Sequence, residues 1–288
     1  MGTNQGLQET AQDLKGDVKK IVRTTTMSPF VETLERLGYI VRGLVYSVIG
    51  VLALQAAIGG GGALTDPQGA IATLGKTPVG GILLYVILIG LLGYGLWGLV
   101  RAIADPLHKG SDTKGTFARI GYAISGFSYL LLGFVTYNLI NGNTPGSSTQ
   151  QLQQTIGSIL AKPWGVWVVG FVALCVIGAG ISQIVQGLEA TFNRLFKSYM
   201  LSASQLRWIT RLGRFGYVAR GFVFTLIGVF LGLAAYHNDP AQAKGIDAVL
   251  ASLRNGPYGF VLLGIVALGL IGFGIFSIMC GFWLRLRR

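Results

Sequence analysis

A stretch that leads into a long apolar run occurs three times in this chain. It reads Arg-Leu-Gly-Tyr-Ile-Val-Arg-Gly-Leu-Val-Tyr at Arg36–Tyr46, and returns at Arg119–Tyr129 and Arg214–Phe224. Three copies mean that one supersecondary unit is used three times, which constrains the fold more than any other feature of the sequence. The register persists well beyond the motif. Gly38 to Gly121 is 83 residues and Gly121 to Gly216 is 95, while Pro78 to Pro163 is 85 and Pro163 to Pro257 is 94. The differences are loop insertions.

Each unit has the same order: apolar span, short amphipathic piece, Pro-x-Gly, apolar span. The spans are expected at about 37–58, 79–100, 120–140, 164–185, 215–236 and 258–284. Each is long enough to cross the roughly 30 Å hydrocarbon core of a bilayer as a helix. Composition agrees: 51% of residues are hydrophobic, only 12% are charged, and the mean hydropathy is +0.58. The predicted fold is all-α. Six transmembrane helices form three parallel two-helix repeats with pseudo-threefold symmetry, and short amphipathic helices occupy the outer loops. The segments are 1–28, a polar, amphipathic N-terminal stretch, then repeat 1 over 29–110, repeat 2 over 111–200 and repeat 3 over 201–288.

In the N-terminal stretch, Leu7, Ala11, Leu14, Val18 and Ile21 share one helical face among charged neighbours. This fits a membrane-surface helix or a polar tail. The stretch does not read as a signal peptide, and Gly6 stands where a myristoylation site needs Ser or Thr.

Six spans put both termini on one side. Nineteen Lys and Arg residues fall on that side and four, Lys76, Lys162, Lys244 and Arg254, on the other. By the positive-inside rule the termini are cytoplasmic in a multi-pass protein of the cell membrane. A two-span unit preserves direction, so the repeats are parallel about an axis along the membrane normal. The net charge of +12 lies beside apolar runs, which points to anionic lipid headgroups on the cytoplasmic side as partners rather than to nucleic acid.

Tyr39, Arg42, Gly43, Tyr46 and Gly50 share one helical side, and so do their counterparts Tyr122, Ser125, Gly126, Tyr129 and Gly133, then Tyr217, Arg220, Gly221, Phe224 and Gly228. The glycines mark a packing face, because lipid supplies no hydrophobic drive between helices and close backbone approach must replace it. The same role is expected of the glycine doublets fifteen and seventeen residues after each Pro: Gly93 and Gly95, Gly178 and Gly180, Gly272 and Gly274. Members of a doublet lie on nearly opposite sides, so each even span is expected to pack against two neighbours in a compact bundle.

Arg42 and Arg220 carry the sharper question. Each can snorkel to the headgroups, cap a helix C-terminus or contact a lipid phosphate. Alternatively, the near-threefold axis brings Arg42, Arg220 and Ser125 together as an anion site, with Tyr39, Tyr122 and Tyr217 beside them. On the middle even span, Ser182, Gln183 and Gln186 read as interhelical hydrogen-bond glue or as the lining of a polar path.

The remaining chemistry is sparse. All eleven acidic residues read as lying outside the spans, His108 and His237 fall in loops on opposite sides, and Cys175 and Cys280 sit singly in apolar runs. No metal site, cofactor or catalytic set is expected.

The paired Gly38-Tyr39/Arg42-Gly43 and Gly216-Tyr217/Arg220-Gly221 resemble the Gly-Tyr-x-x-Arg-Gly opening of a bacterial family of uncharacterised integral membrane proteins with three tandem two-helix units. The resemblance covers about 34–284. Unit two departs, with Ser125 at the arginine position. It implies fold and location and brings no activity. The likeness to mitochondrial carriers, also built from span, short helix and span in triplicate, is architectural only. Their Pro-x-acid-x-x-base motif is missing. The expected function is that of a non-enzymatic structural or accessory subunit packing with lipids or other membrane proteins. The alternatives are a small channel or transporter for an anionic or neutral solute along the pseudo-threefold axis, and an intramembrane enzyme.

Overall fold

The computed structural model describes residues 29–104, 113–143, 146–195 and 202–283. The amphipathic reading of 1–28 and His108 lie outside them. Six long helices carry the spans: α1 (Pro29–Ala57), α3 (Gly80–Ala104), α4 (Thr113–Ile140), α6 (Gly165–Glu189), α7 (Ala203–Tyr236) and α9 (Gly259–Trp283). Three short helices, α2 (Pro67–Gly75), α5 (Ser148–Leu160) and α8 (Ile246–Arg254), follow the odd spans. Among the described residues there is no strand. The protein is an all-α, six-span membrane protein of three repeats.

Local chemistry sets these boundaries. Asp66 and Ser147 cap α2 and α5 with side-chain oxygens that accept backbone N–H bonds from Gly69 and Gln150. The helix α7 starts about a dozen residues earlier than the apolar run suggests. Its origin is a capping box in which Ser202 and Gln205 bond each other's backbone. Each Pro-x-Gly lets the next span fold tightly over the short helix before it. A Cβ on Gly165 would stand 2.7 Å from the Ile159 carbonyl carbon, and one on Gly259 2.6 Å from that of Arg254.

Packing follows the repeat in a way that spacing alone does not convey. The closest helix pairs are α1 with α9, α4 with α3, and α7 with α6. Each odd span therefore lies against the even span of the preceding unit, with the first unit closing onto the third. The hairpin partners α1/α3 and α7/α9 also pack, whereas α4 and α6 of the middle repeat share no extensive packing. The six spans form a ring in the order α4–α3–α1–α9–α7–α6, open at one seam.

The ring is filled at both ends. Ala70 and Ile71 of α2 and Val249 and Leu250 of α8 are wholly buried in the main core with Ile49, Leu263 and Leu270. The short helices thus plug the bundle rather than lie on it. Asp66 also accepts a bond from Ser148 N at 2.9 Å, and Asp247 accepts one from the Thr149 hydroxyl, so the three short helices are tied together. At the opposite end, where α1 begins and α9 finishes, Ala190, Phe192, Ile209, Phe276 and Cys280 make a second plug.

Candidate functional site

The crossing glycines meet in triplicate. A Cβ on Gly43 would stand 2.6 Å from Gly274 O, one on Gly126 2.7 Å from Gly95 O, and one on Gly221 2.6 Å from Gly180 O. In each pair the backbones touch where no side chain fits. The other doublet members behave differently. Gly272 faces α7, with Leu212 O 3.6 Å from a Cβ built there, and Gly93 is buried within α3. Gly178 is exposed and a Cβ there would meet nothing within 4 Å. The expectation of two packed neighbours per even span holds for α3 and α9. It fails for α6, because α4 stands off from it.

Just inside this crossing layer lie the arginines. Arg42 is seven residues beyond Glu35, about 10 Å along α1 at 1.5 Å per residue. Both arginines turn inward rather than toward the helix ends. Arg42 Nε donates to Ser277 Oγ at 3.0 Å, and Ser277 donates in turn to Tyr39 O at 3.1 Å. Arg220 Nε donates to the Tyr46 hydroxyl at 2.9 Å and Nη1 to Gln183 Oε1 at 2.7 Å. Ser277 and Gln183 occupy the same repeat position, twenty residues after Pro257 and Pro163. The two contacts are therefore one contact made twice. Its third instance would join Ser125 to Gly98, where there is neither charge nor acceptor.

Phe273 joins the two. The guanidinium carbon of Arg42 is 5.2 Å from its ring centre and that of Arg220 4.9 Å, so the charges lie at most about 10 Å apart. Tyr39 and Tyr46 add further faces at 4.8 and 5.1 Å. Such contacts favour a cation electrostatically but leave its charge uncompensated. Among the described residues neither arginine forms an ion pair, and the remaining Nη donors have no hydrogen-bond partner. Both side chains are half-buried.

The structure thus brings Arg42, Arg220 and Tyr39 into one layer. Tyr217 is in a neighbouring aromatic cluster, stacked on Phe192 at 5.3 Å with Phe273 and Phe276 edge-on. Ser125 is half-buried and makes no hydrogen bond to a described residue. Tyr122 serves a different cation, Arg101, which reading the sequence put at the end of a span. Arg101 is buried, 5.0 Å over the Tyr122 ring, and paired with Glu35 at 3.8 Å. Glu35, expected outside the spans, is also buried. Gln183 is one of the three residues that the sequence reads as interhelical glue or a polar lining; the register of α9 after Pro-x-Gly is the signal that could have added Ser277. Nothing in spacing marks Arg101 or Glu35, whose meeting joins two helices.

A cleft of about 490 Å³ at the short-helix end is lined in part by Asp66, Gln68, Lys76 and Asp247. Both Asp66 oxygens already accept backbone bonds, so the cleft offers no free carboxylate there. Among the described residues no group of His, Cys, Asp or Glu could hold a metal ion.

The repeat itself decides kinship. The Domain of Unknown Function (DUF1206) matches at residues 37–105, 120–189 and 215–283, once per two-span unit. The chain belongs to the DUF1206 family. It is 34% identical over 255 residues to the uncharacterized protein YxxB of Bacillus subtilis (strain 168), covering 88% of this chain and 92% of the relative. No solved structure matches. The three matched segments coincide with the units that supply one arginine or serine position each, so family membership and site geometry share one register.

Proposed function

We propose that this protein is a non-enzymatic accessory component of the cell membrane, with cytoplasmic termini, whose core holds an anionic group at Arg42 and Arg220. The observation that carries the reading is the convergence of both guanidinium groups on Phe273 inside a span layer, with spare donors and no paired carboxylate among the described residues. An unpaired cation in hydrocarbon is costly, and an arriving anion removes that cost. Arginine suits the task because its planar fork of donors matches phosphate or carboxylate. The 19 to 4 distribution of basic residues supports the orientation, which sets the arginine layer in the cytoplasmic half.

The filled ends favour an accessory role over conduction. Ile71 of α2 and Leu250 of α8 are wholly buried in one apolar cluster with residues of α1 and α9, and this packed core leaves the short-helix end without an evident conduit. The test is thermal unfolding of the detergent-solubilised protein with inorganic phosphate and, separately, phosphatidylglycerol, alongside anion flux in liposomes. At least one of these anions raises the melting temperature of the wild type, and R42Q/R220Q removes the rise. Flux stays at the protein-free level. A wild type indifferent to both anions, or a protein that conducts, refutes the proposal.

A further inference from the structure

Resting on that anion site, we infer that the anion is the phosphate of a membrane phospholipid, which reaches Arg42 and Arg220 sideways through the open seam between α4 and α6. Three observations meet at this seam. First, the ring of spans closes everywhere except between the two helices of the middle repeat. Gly272 shows what a closed hairpin looks like, since it faces α7; Gly178, its counterpart in α6, faces empty space. The opening is thus a missing contact at a position the repeat elsewhere fills.

Second, the seam is polar where a lipid-facing surface should be apolar. Gly178, Ser182 and Gln186 are four residues apart and share one face of α6. Gln186 Nε2 donates to Ser182 Oγ at 3.1 Å on this exposed side. One step further round, Gln183 holds Arg220. On α4, Ser128 is exposed and donates to Ile124 O within its own helix at 2.9 Å. Polar side chains on bilayer-exposed helices are expensive unless something polar meets them. The polar face of α6 thus runs from the exposed Ser182 to its neighbour Gln183, which is bonded to Arg220.

Third, the path ends on positive charge. Unit two alone lacks the arginine at this position, and the cation beside its tyrosine, Arg101, is paired with Glu35, while Arg42 and Arg220 face in from the other two units. A phospholipid fits all three features: its phosphate meets the guanidinium forks, its glycerol and ester oxygens meet Ser and Gln, and its chains stay in the bilayer. A free anion needs no lateral opening and gains nothing from a polar stripe on the membrane flank.

The experiment compares long-chain phosphatidylglycerol, phosphatidylcholine and inorganic phosphate on the full-length protein in detergent, reading bound mass by native mass spectrometry and melting temperature. The expected result is one retained phosphatidylglycerol per chain, held at least about tenfold more tightly than phosphatidylcholine, a preference lost in R42Q/R220Q. Gly178→Trp, on the open face of α6 where a Cβ would meet nothing within 4 Å, lowers phosphatidylglycerol retention by a similar factor. The headgroup comparison needs no variant and stands even where a substitution fails to fold. If phosphate stabilises as well as the lipid and Gly178→Trp changes neither, the anion site survives and the lipid assignment falls. If no anion binds, both fall. If Ser182→Cys cross-links two copies in native membranes, the seam is a protein interface and the inference is overturned.

Discussion

Arg101 on α3 lies over the ring of Tyr122 on α4 at 5.0 Å and pairs with Glu35 on α1 at 3.8 Å. Tyr122 is the repeat mate of Tyr39, whose ring Arg42 covers at 4.8 Å. The middle repeat has serine where the others have arginine, and the neighbouring even span delivers a cation to its tyrosine instead. That cation is paired with a carboxylate, whereas Arg42 and Arg220 form no such pair among the described residues. The near-threefold layer is thus split into one satisfied junction and two that retain spare donors.

This ion pair makes the first prediction. Glu35→Gln alone takes this carboxylate from the buried Arg101 guanidinium and should cost about 3–5 kcal/mol, and Arg101→Met alone should also destabilise, because Glu35 loses this cation. The double variant should recover much of that loss, because both charges are gone. Thermal unfolding of the four proteins forms a double-mutant cycle. Additive losses would show that the pair is not coupled.

The backbone crossings make the second. Gly274→Ala places a Cβ 2.7 Å from Gly43 O, a carbonyl that cannot move without separating α1 from α9. The expected loss is about 1–3 kcal/mol. Gly178→Ala, with nothing within 4 Å, should stay within about 0.5 kcal/mol of wild type. Equal melting temperatures for the two variants would remove the distinction between crossing and seam glycines.

At the short-helix end, Asp66 caps α2 through Gly69 N at 2.7 Å and holds Ser148 N of the next unit at 2.9 Å. Asp66→Ala should destabilise by about 1–2 kcal/mol, and Asp66→Asn, which keeps an acceptor, by less. Limited proteolysis between α2 and α5 should quicken in the alanine variant. Unchanged proteolysis and melting would mean the tie is dispensable.

Orientation is checked with single cysteines. In a Cys175→Ala background, Lys76→Cys should react with a membrane-impermeant maleimide in intact cells, and Ser204→Cys only after permeabilisation. Cys280 is buried and should stay silent in both. The reverse labelling pattern would invert the topology and put the arginine layer in the outer half.

Periodicity and spacing were enough to read three like units of two spans running in one sense, the place of each short helix along the chain, and the glycines that share a face. Those are properties of period and local chemistry, written into neighbouring residues: Pro-x-Gly recurs where a span folds back, and Gly43, Gly126 and Gly221 recur where helices touch. What each face meets emerges from the packed bundle alone. It joined Gly43 to Gly274 rather than to its own hairpin, turned Arg42 and Arg220 inward onto Phe273, drew Arg101 to Glu35, and left α4 apart from α6. The physical reason is that helical periodicity assigns a residue to a side of its own helix and nothing more. In lipid, where apolar surface alone does not choose a partner, the choice falls to backbone fit and buried polar contacts between segments far apart in the chain.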